Sequence, residues 1–476
     1  MTPQKTKDTV ANKSNSFDYD MIVIGCGPAG QRAAIQAAKL RKKVAIIDRR
    51  EVVGGVCVNT GTIPSKSFKE AVLFLSGFRQ RNIYGASYRV KTDIKMSDLT
   101  FRCNRIMQLE IEVIKNQLNR NHVDTLYGHA AFIDPHTLEI TSKSGTVKKT
   151  AAQFVIAVGA KPYRPPNVHF NGRTIFDSDD VLNLQNLPRE MTVVGGGVIG
   201  TEYGSMFAAL GVNVTMVDAR KRLLGFVDEE LNDTFHYQMR SMGVRLRLGE
   251  EVESCKPRED NAVVTVLKSG KVIVSDCVLY SAGRVSATSD LGLNTIGIPT
   301  DERGKISVNE HFQTTQPHIY AAGDVIGFPA LASTSARQGR LATCHAFGVK
   351  DTIMDVPLPF GIYAIPEISY VGMNEDELTK QGVPYETGVA RYREIARGQL
   401  LGDENGMLKV LFHRETEQVL GVHIIGEYAT ELIHIGQAVM ALKGGLGYLR
   451  DAVFNYPTLA ECYKVAALDG YNKLRA

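Results

Sequence analysis

The chain has 476 residues, 44% of them hydrophobic and 22% charged. That composition excludes global disorder, and at about 100–200 residues per domain the length sets an expectation of about three domains. The net charge of +4 is not concentrated in a basic patch, which argues against nucleic-acid binding, and no run reaches the ~18 apolar residues of a membrane helix. The seven cysteines (Cys26, Cys57, Cys103, Cys255, Cys277, Cys344 and Cys462) are odd in number and scattered. They read as reduced intracellular thiols, and without a CxxC pair neither a disulfide framework nor a metal site is expected.

Residues 1–17 are rich in Lys, Thr, Asn and Ser, with neither the apolar stretch of a signal peptide nor the Arg of a mitochondrial presequence. The expectation is a disordered tail on a cytoplasmic protein.

Two segments then align without a gap at an offset of 170 residues, Met21–Asp48 and Met191–Asp218. Gly25 matches Gly195, Gly27 matches Gly197, Gly30 matches Gly200, and Asp48 matches Asp218. Each reads as strand, glycine turn, helix, strand, acid. A lone GxGxxG is weak, but that setting is the one a dinucleotide-binding βαβ unit requires. The first glycine permits the turn, the second lets the backbone approach a pyrophosphate, and the third lets helix and strand pack closely. The helix N-terminus faces the phosphates, and the acid accepts from ribose hydroxyls. The expected fold is therefore α/β, with two Rossmann-type dinucleotide-binding domains. One dinucleotide per module, a flavin beside a nicotinamide, would make an oxidoreductase.

Between the modules runs Gly54-Gly55-Val56-Cys57-Val58-Asn59-Thr60-Gly61-Thr62-Ile63-Pro64-Ser65-Lys66, with a helix expected from Pro64 onward. This stretch resembles the active-site segment of the flavoprotein disulfide reductases, such as dihydrolipoamide dehydrogenase, glutathione reductase and mercuric reductase. In that family two cysteines with four residues between them cycle between dithiol and disulfide beside the flavin. Here Cys57 stands at the first cysteine position and Thr62 at the second. The family's C-terminal His-Pro-Thr-x-x-x-Glu is replaced by Tyr456-Pro457-Thr458-Leu459-Ala460-Glu461. Tyrosine, with an ordinary pKa of about 10, is a poor thiol base at neutral pH. Acceptor and base are thus both missing from one half-reaction.

The combination resembles the soluble, Si-specific pyridine nucleotide transhydrogenase branch of this family, from about residue 18 to the end. The resemblance implies bound FAD, with NAD and NADP as substrates. The implied reaction is reversible ping-pong hydride transfer from NADPH to NAD+ through the flavin, without a redox-active disulfide. It also implies site residues. Asp48 and Arg49 belong at the flavin ribose, with Gly54, Gly55, Cys57 and Thr62 along the flavin. Ala130 meets the adenine end, and Gly159 closes the first flavin segment. Gly283 closes the nicotinamide domain, and Asp324 meets the ribitol. Leu331 and Ala332 open a helix under the flavin. Lys66 sits near flavin N5 with Glu202 as its partner. Tyr456 and Glu461 reach a partner subunit's flavin site.

At the second module, Asp218 suits the 2′-hydroxyl of NAD, whereas Arg220, Lys221 and Arg222 suit the 2′-phosphate of NADP. Together they admit both coenzymes; alone, the cations would read as a solvated turn. From about residue 351, PLPFGIYAIPEISYVG, MLKVLFH and VLGVHIIG read as strands and ATELIHIGQAVMALKGG as an amphipathic helix. They make up an α+β interface domain of a homodimer or higher homo-oligomer. His434, on that helix, is expected to be buried and structural.

The expected domains are 18–160 (FAD, first segment), 161–283 (NAD(P)), 284–350 (FAD, second segment) and 351–476 (interface). Small-molecule coenzymes are the expected ligands, with no nucleic acid or membrane partner. Two other readings stand beside the transhydrogenase: an FAD-dependent NAD(P)H diaphorase or oxidase, and a non-catalytic flavin-binding redox sensor.

Overall fold

The two apolar runs flanking the first glycine turn, Tyr19–Ile24 and Val44–Asp48, pair in parallel with Ile22 opposite Ala45. Their residues are almost all buried, as an unbroken apolar run in a parallel strand requires. The coordinates are a computed structural model that describes residues 17–350 and 356–475. The expected tail therefore lies outside the described residues, apart from Phe17. The chain divides into two compact units, one of residues 17–57, 110–161 and 285–350, the other of 58–109, 162–284 and 356–475.

In the first unit, five parallel strands run in the order Asp124–Tyr127, Val44–Asp48, Tyr19–Ile24, the second half of Gly145–Ile156, and Ile319–Ala321. The first half of Gly145–Ile156 continues into an antiparallel ribbon with Thr137–Ser142 and His129–Asp134. The helix Pro28–Lys39 joins the first two strands. Its proline sits in the first turn, where no backbone N–H is needed. Its buried face is mostly alanine (Ala29, Ala33, Ala34 and Ala37), so the helix Ala332–Ala346 packs very close. A Cβ on Gly339 would lie 2.0 Å from the Ala29 carbonyl oxygen.

The second unit repeats the arrangement. Its parallel strands run Arg245–Leu248, Asn213–Asp218, Glu190–Val194, Cys277–Tyr280, Ile175–Phe176. The helix Val198–Ala209 stands at the same 170-residue offset from Pro28–Lys39, end for end. An antiparallel sheet follows in the order Phe360–Ile362, Ile368–Gly372, Val419–Ile425, Met407–His413, Tyr385–Arg391. Against it lie the helices Ala429–Ala441 and Glu461–Arg475.

One local expectation needs correction. The helix expected from Pro64 begins at Thr62. Proline is tolerated there because the first N–H groups of a helix have no intrahelical acceptor. A short helix, Gly55–Asn59, precedes that helix in the same segment. The strand Tyr385–Arg391 carries two charges and a glycine and shows no apolar run. It forms because its edge pairs along seven residues with the apolar strand Met407–His413.

Candidate functional site

The first glycine turn is fixed by contacts that leave no room for side chains at two of its three glycines. Gly25 has φ +107°, and a Cβ there would sit 2.2 Å from the Ala157 carbonyl oxygen; at Gly30 it would sit 1.8 Å from the Gly25 oxygen. At Gly27, the residue capping the helix, nothing lies within 4 Å of that position and no side chain caps the N-terminus. Two glycines therefore build the turn, and the third leaves open space in front of the free N–H groups.

Asp48 is oriented by the main chain. Its Oδ2 accepts from the Cys26 N–H at 2.9 Å and its Oδ1 from the Arg50 N–H at 3.0 Å. Asp48 and Arg49 line a recess with Gly25, Gly128, Ala130 and Leu291. Gly54 donates to the Cys26 carbonyl at 3.1 Å, and the Cβ position of Gly55 is 2.8 Å from Gly27 Cα. Cys57 is half-buried on the short helix. Gly159 has φ +69° and open space around its Cβ position. Asp324 opens a single helical turn after Gly323. The Gly323 N–H donates to Gln338 Oε1 at 2.9 Å, and Gln338 lies on the helix that Leu331 caps and Ala332 begins. Gln338 carries no motif signal and was not foreseen.

The second module has the same cradle. The Cβ position of Gly195 is 2.5 Å from the Ser281 oxygen, and that of Gly200 is 1.9 Å from the Gly195 oxygen. Gly197 is open up to an Arg220 nitrogen at 4.0 Å. Ser281, also not foreseen, donates from Oγ to the Val194 and Gly195 carbonyls at 2.9 and 3.1 Å. Gly283 has φ +103° and open space at its Cβ position.

Two of the three cations after Asp218 are paired. Arg220 Nε and Nη2 donate to Asp218 Oδ1 and Oδ2 at 2.9 and 2.7 Å. The Gly196 and Arg220 main-chain N–H groups donate to the same carboxylate at 2.5 and 2.7 Å. Burial works to raise the Asp218 pKa, but these four bonds outweigh it and hold it below the usual carboxylate value. Arg222 pairs with Glu229.

Lys66 and Glu202, 136 residues apart, meet. Lys66 Nζ is 3.0 and 2.8 Å from the two Glu202 oxygens. Glu202 is buried on the helix Val198–Ala209, and Lys66 is partly exposed on the helix Thr62–Ser76. Thr62, the first residue of the Lys66 helix, is exposed, and its carbonyl accepts from Ser65 Oγ at 3.2 Å. Tyr456 is 74% exposed. No hydrogen bond joins its hydroxyl to Glu461, whose Oε2 is buried without a partner. His434 is exposed and bonds to Gln437 Oε1, contrary to the expected burial. The buried stripe of its helix is Ala429, Leu432, Ile433, Gly436 and Val439, and position 434 lies off it.

An open middle glycine at an uncapped helix N-terminus, with an oriented carboxylate at the next strand end, fits a dinucleotide in each module. The comparisons with known proteins agree. Residues 19–339 match the model for pyridine nucleotide-disulphide oxidoreductases, and residues 358–467 match that family's dimerisation domain. The chain belongs to the pyridine nucleotide-disulphide oxidoreductase family. It is 53% identical over 461 residues to the soluble pyridine nucleotide transhydrogenase of Mycobacterium bovis, covering 96% of this chain and 98% of that one. It is 44% identical over 468 residues to the Shigella flexneri protein of the same name, covering 97% and 99%. Among solved structures it resembles LpdA from Mycobacterium tuberculosis, with TM-score 0.87 and 28% identity over 94% of this chain and 99% of that one. It also resembles the HOCl-induced flavoprotein disulfide reductase RclA from Escherichia coli, with TM-score 0.85 and 27% identity over 94% and 99%. Among the described residues, no helix is long and apolar enough to cross a membrane.

Proposed function

We propose that the chain transfers hydride reversibly from NADPH to NAD+ as a soluble, cytoplasmic transhydrogenase with bound FAD. The observation that carries this reading is the Asp218–Arg220 pair. A bare acid at that strand end favours NAD and repels a 2′-phosphate. An acid neutralised by a guanidinium does not repel it, and the guanidinium can turn to meet it. One site can then serve both coenzymes in turn. The names of the relatives in Mycobacterium bovis and Shigella flexneri support the same activity.

FAD, when bound, supplies a group that accepts a hydride from one nicotinamide and returns it to another. The residues that would hold it are the Gly25, Gly27 and Gly30 cradle at its pyrophosphate and Asp48 with Arg49 at its ribose. Ala130 would stand at its adenine, and Asp324 with the Leu331–Ala332 helix start at the ribitol and flavin end. Gly54, Gly55, Cys57 and Gly159 would complete that surface. In the second module, Gly195, Gly197 and Gly200 hold the nicotinamide coenzyme's pyrophosphate, with Gly283 closing the site. Glu202 orients Lys66. Thr62 cannot form a disulfide with Cys57, so electrons have no thiol route.

Residues 18–160 and 284–350 then form the FAD domain, 161–283 the NAD(P) domain, and 351–476 the interface of a homodimer. Tyr456 and Glu461 would serve the partner's site. The dimerisation-domain match, the exposed Val453 and Tyr456, and the unpartnered Glu461 oxygen support that assembly.

The test is anaerobic. NADPH should bleach the bound flavin, and added NAD+ should restore its colour while NADH appears in equal amount. Strong dye reduction without that transfer would favour a diaphorase instead.

A further inference from the structure

Lysine carries a compact charge on a flexible four-carbon stem. One ion pair at a partly exposed position constrains such a chain weakly. Lys66 is 26% exposed in its side chain, so a further constraint is needed if its ammonium is to occupy one place. The structure supplies one. The ring of Tyr363 lies beside it, with Lys66 Nζ 4.7 Å from the ring centroid. One helical turn on, Lys69 Nζ approaches the same ring at 5.7 Å. The main-chain N–H of Tyr363 donates to Glu202 Oε1 at 2.9 Å, the oxygen that also accepts from Lys66.

Lys69, the second cation at the ring, is itself held through Glu367. Thr430 donates from Oγ1 to Glu367 Oε2 at 2.9 Å, and Glu367 Oε1 accepts from Lys69 at 2.5 Å. Two residues on, the Ile365 N–H donates to Ser205 Oγ at 2.9 Å, and Ser205 donates to the Glu202 carbonyl at 2.8 Å. Glu202 is thus approached from the 363–365 segment both at its carboxylate and through its own main chain. Two lysines spaced three apart on one helix, each with its own carboxylate, meet a single aromatic ring.

We propose that Tyr363 is a positioning residue for the Lys66–Glu202 pair, its ring face fixing the Lys66 ammonium while its N–H fixes the carboxylate. The proposal rests on the reading that Lys66 stands at the reacting end of the site. The ring's share can be removed alone, because any residue but proline at position 363 keeps the N–H.

The test compares Tyr363→Phe, which keeps the ring, with Tyr363→Leu, which removes it, in the FAD-loaded protein. Competitive acetylation of lysines by acetic anhydride, which captures the unprotonated amine and is read by mass spectrometry, reports how readily Lys66 leaves its contacts. The exposed Lys143 is the internal reference. Tyr363→Leu should raise the ratio of Lys66 to Lys143 labelling by about threefold to tenfold, the size expected for one partly exposed cation–π contact. It should also slow flavin reduction by NADPH by a similar factor with KM for NADPH unchanged. Tyr363→Phe should stay within about twofold of the unmodified protein in both. Labelling in Tyr363→Leu at the unmodified ratio, or equal increases in both variants, would overturn the proposal. Should Tyr363→Leu not accumulate in folded form, Tyr363→Met makes the same comparison. The labelling needs no NAD+, so failure of NADPH-to-NAD+ transfer would remove the functional reading without deciding this one.

Discussion

Arg220 closes over Asp218 with two side-chain hydrogen bonds of 2.9 and 2.7 Å, so that the acid and the cation of the second module form one neutral pair. Coenzyme discrimination should therefore depend on both members. Arg220→Ala bares a buried carboxylate at the ribose and should lower kcat/KM for NADPH by about 100-fold or more, while changing that for NADH by less than about fivefold. Asp218→Asn removes the charge, keeps an acceptor for one of the two main-chain N–H groups and frees the guanidinium, and should shift preference towards NADPH. Steady-state kinetics with each coenzyme and a dye acceptor measure both. Equal losses for the two coenzymes in Arg220→Ala would contradict the pairing argument.

The three glycines of the first turn should separate by role. Gly30→Ala puts a Cβ 1.8 Å from the Gly25 oxygen and should cost several kcal/mol of stability, because backbone must move. Gly27→Ala meets nothing within 4 Å. Its FAD-free protein should melt within about 2 °C of the unmodified one, yet FAD affinity should fall at least tenfold, since the new methyl enters the pyrophosphate's space. Melting curves and FAD titrations of the two variants give the comparison.

The glycine fingerprints were legible because their determinants are local: turn, helix start and strand-end acid fall within one short segment, so even the helix ends repeat at the 170-residue offset. Arg220 and Asp218 were visible as residues but their pairing was not, since an acid followed by cations does not say which way a side chain folds. Tyr363, and the contact of Lys69 with Glu367 across 298 residues, leave no local pattern. The exposure of His434 was recoverable in principle, but the apolar neighbours Leu432, Ile433 and Ile435 masked the helical phase. The strand Tyr385–Arg391 was hidden because its Gly388 is set by a distant backbone: a Cβ there would lie 1.9 Å from the Ala466 oxygen.

Lys409 is almost wholly buried, with Nζ 3.1 Å from Asp228 Oδ1, 3.3 Å from Glu230 and in contact with Glu375. Asp228 also caps the helix Glu229–Ser241. Lys409→Met leaves Asp228 buried without its counter-ion and should destabilise by about 3–5 kcal/mol. Lys409→Met with Asp228→Asn should recover part of that loss. Denaturant unfolding of the FAD-loaded proteins at one protein concentration measures the difference.

His423 lies in the same interior, its Nε2 3.0 Å from the Met373 carbonyl and its Nδ1 without a partner. Burial pushes its pKa below 6.5, so the folded protein keeps it neutral where the unfolded chain takes up a proton. Its contribution to stability is complete above about pH 6.5 and is lost as pH falls towards the depressed folded value, with a slope of at most about 1.4 kcal/mol per pH unit. His423→Gln should remove that slope. Melting temperatures between pH 5 and 8 should therefore converge on the acid side for variant and unmodified protein, and curves that stay parallel would exclude the assignment.

The resemblance to the flavoprotein disulfide reductases puts Thr62 and Tyr456 at the positions expected of a thiol and its base. Thr62 sits exposed at the first turn of the Lys66 helix, and Tyr456 is largely exposed, so both accept substitution without disturbing a packed core. After oxidation by air, Thr62→Cys alone should form a disulfide with Cys57, visible as two fewer titratable thiols than in its reduced form, and should lower NADPH-to-NAD+ transfer by diverting electrons to it. Thr62→Cys with Tyr456→His adds a base of ordinary pKa about 6.5, suited to moving a thiol proton at neutral pH. The double variant should reduce a small disulfide such as lipoamide with NADH or NADPH, and the unmodified protein should not. A double variant that forms the disulfide yet reduces no external one would show that the surrounding surface, beyond these two side chains, has also turned away from disulfide chemistry.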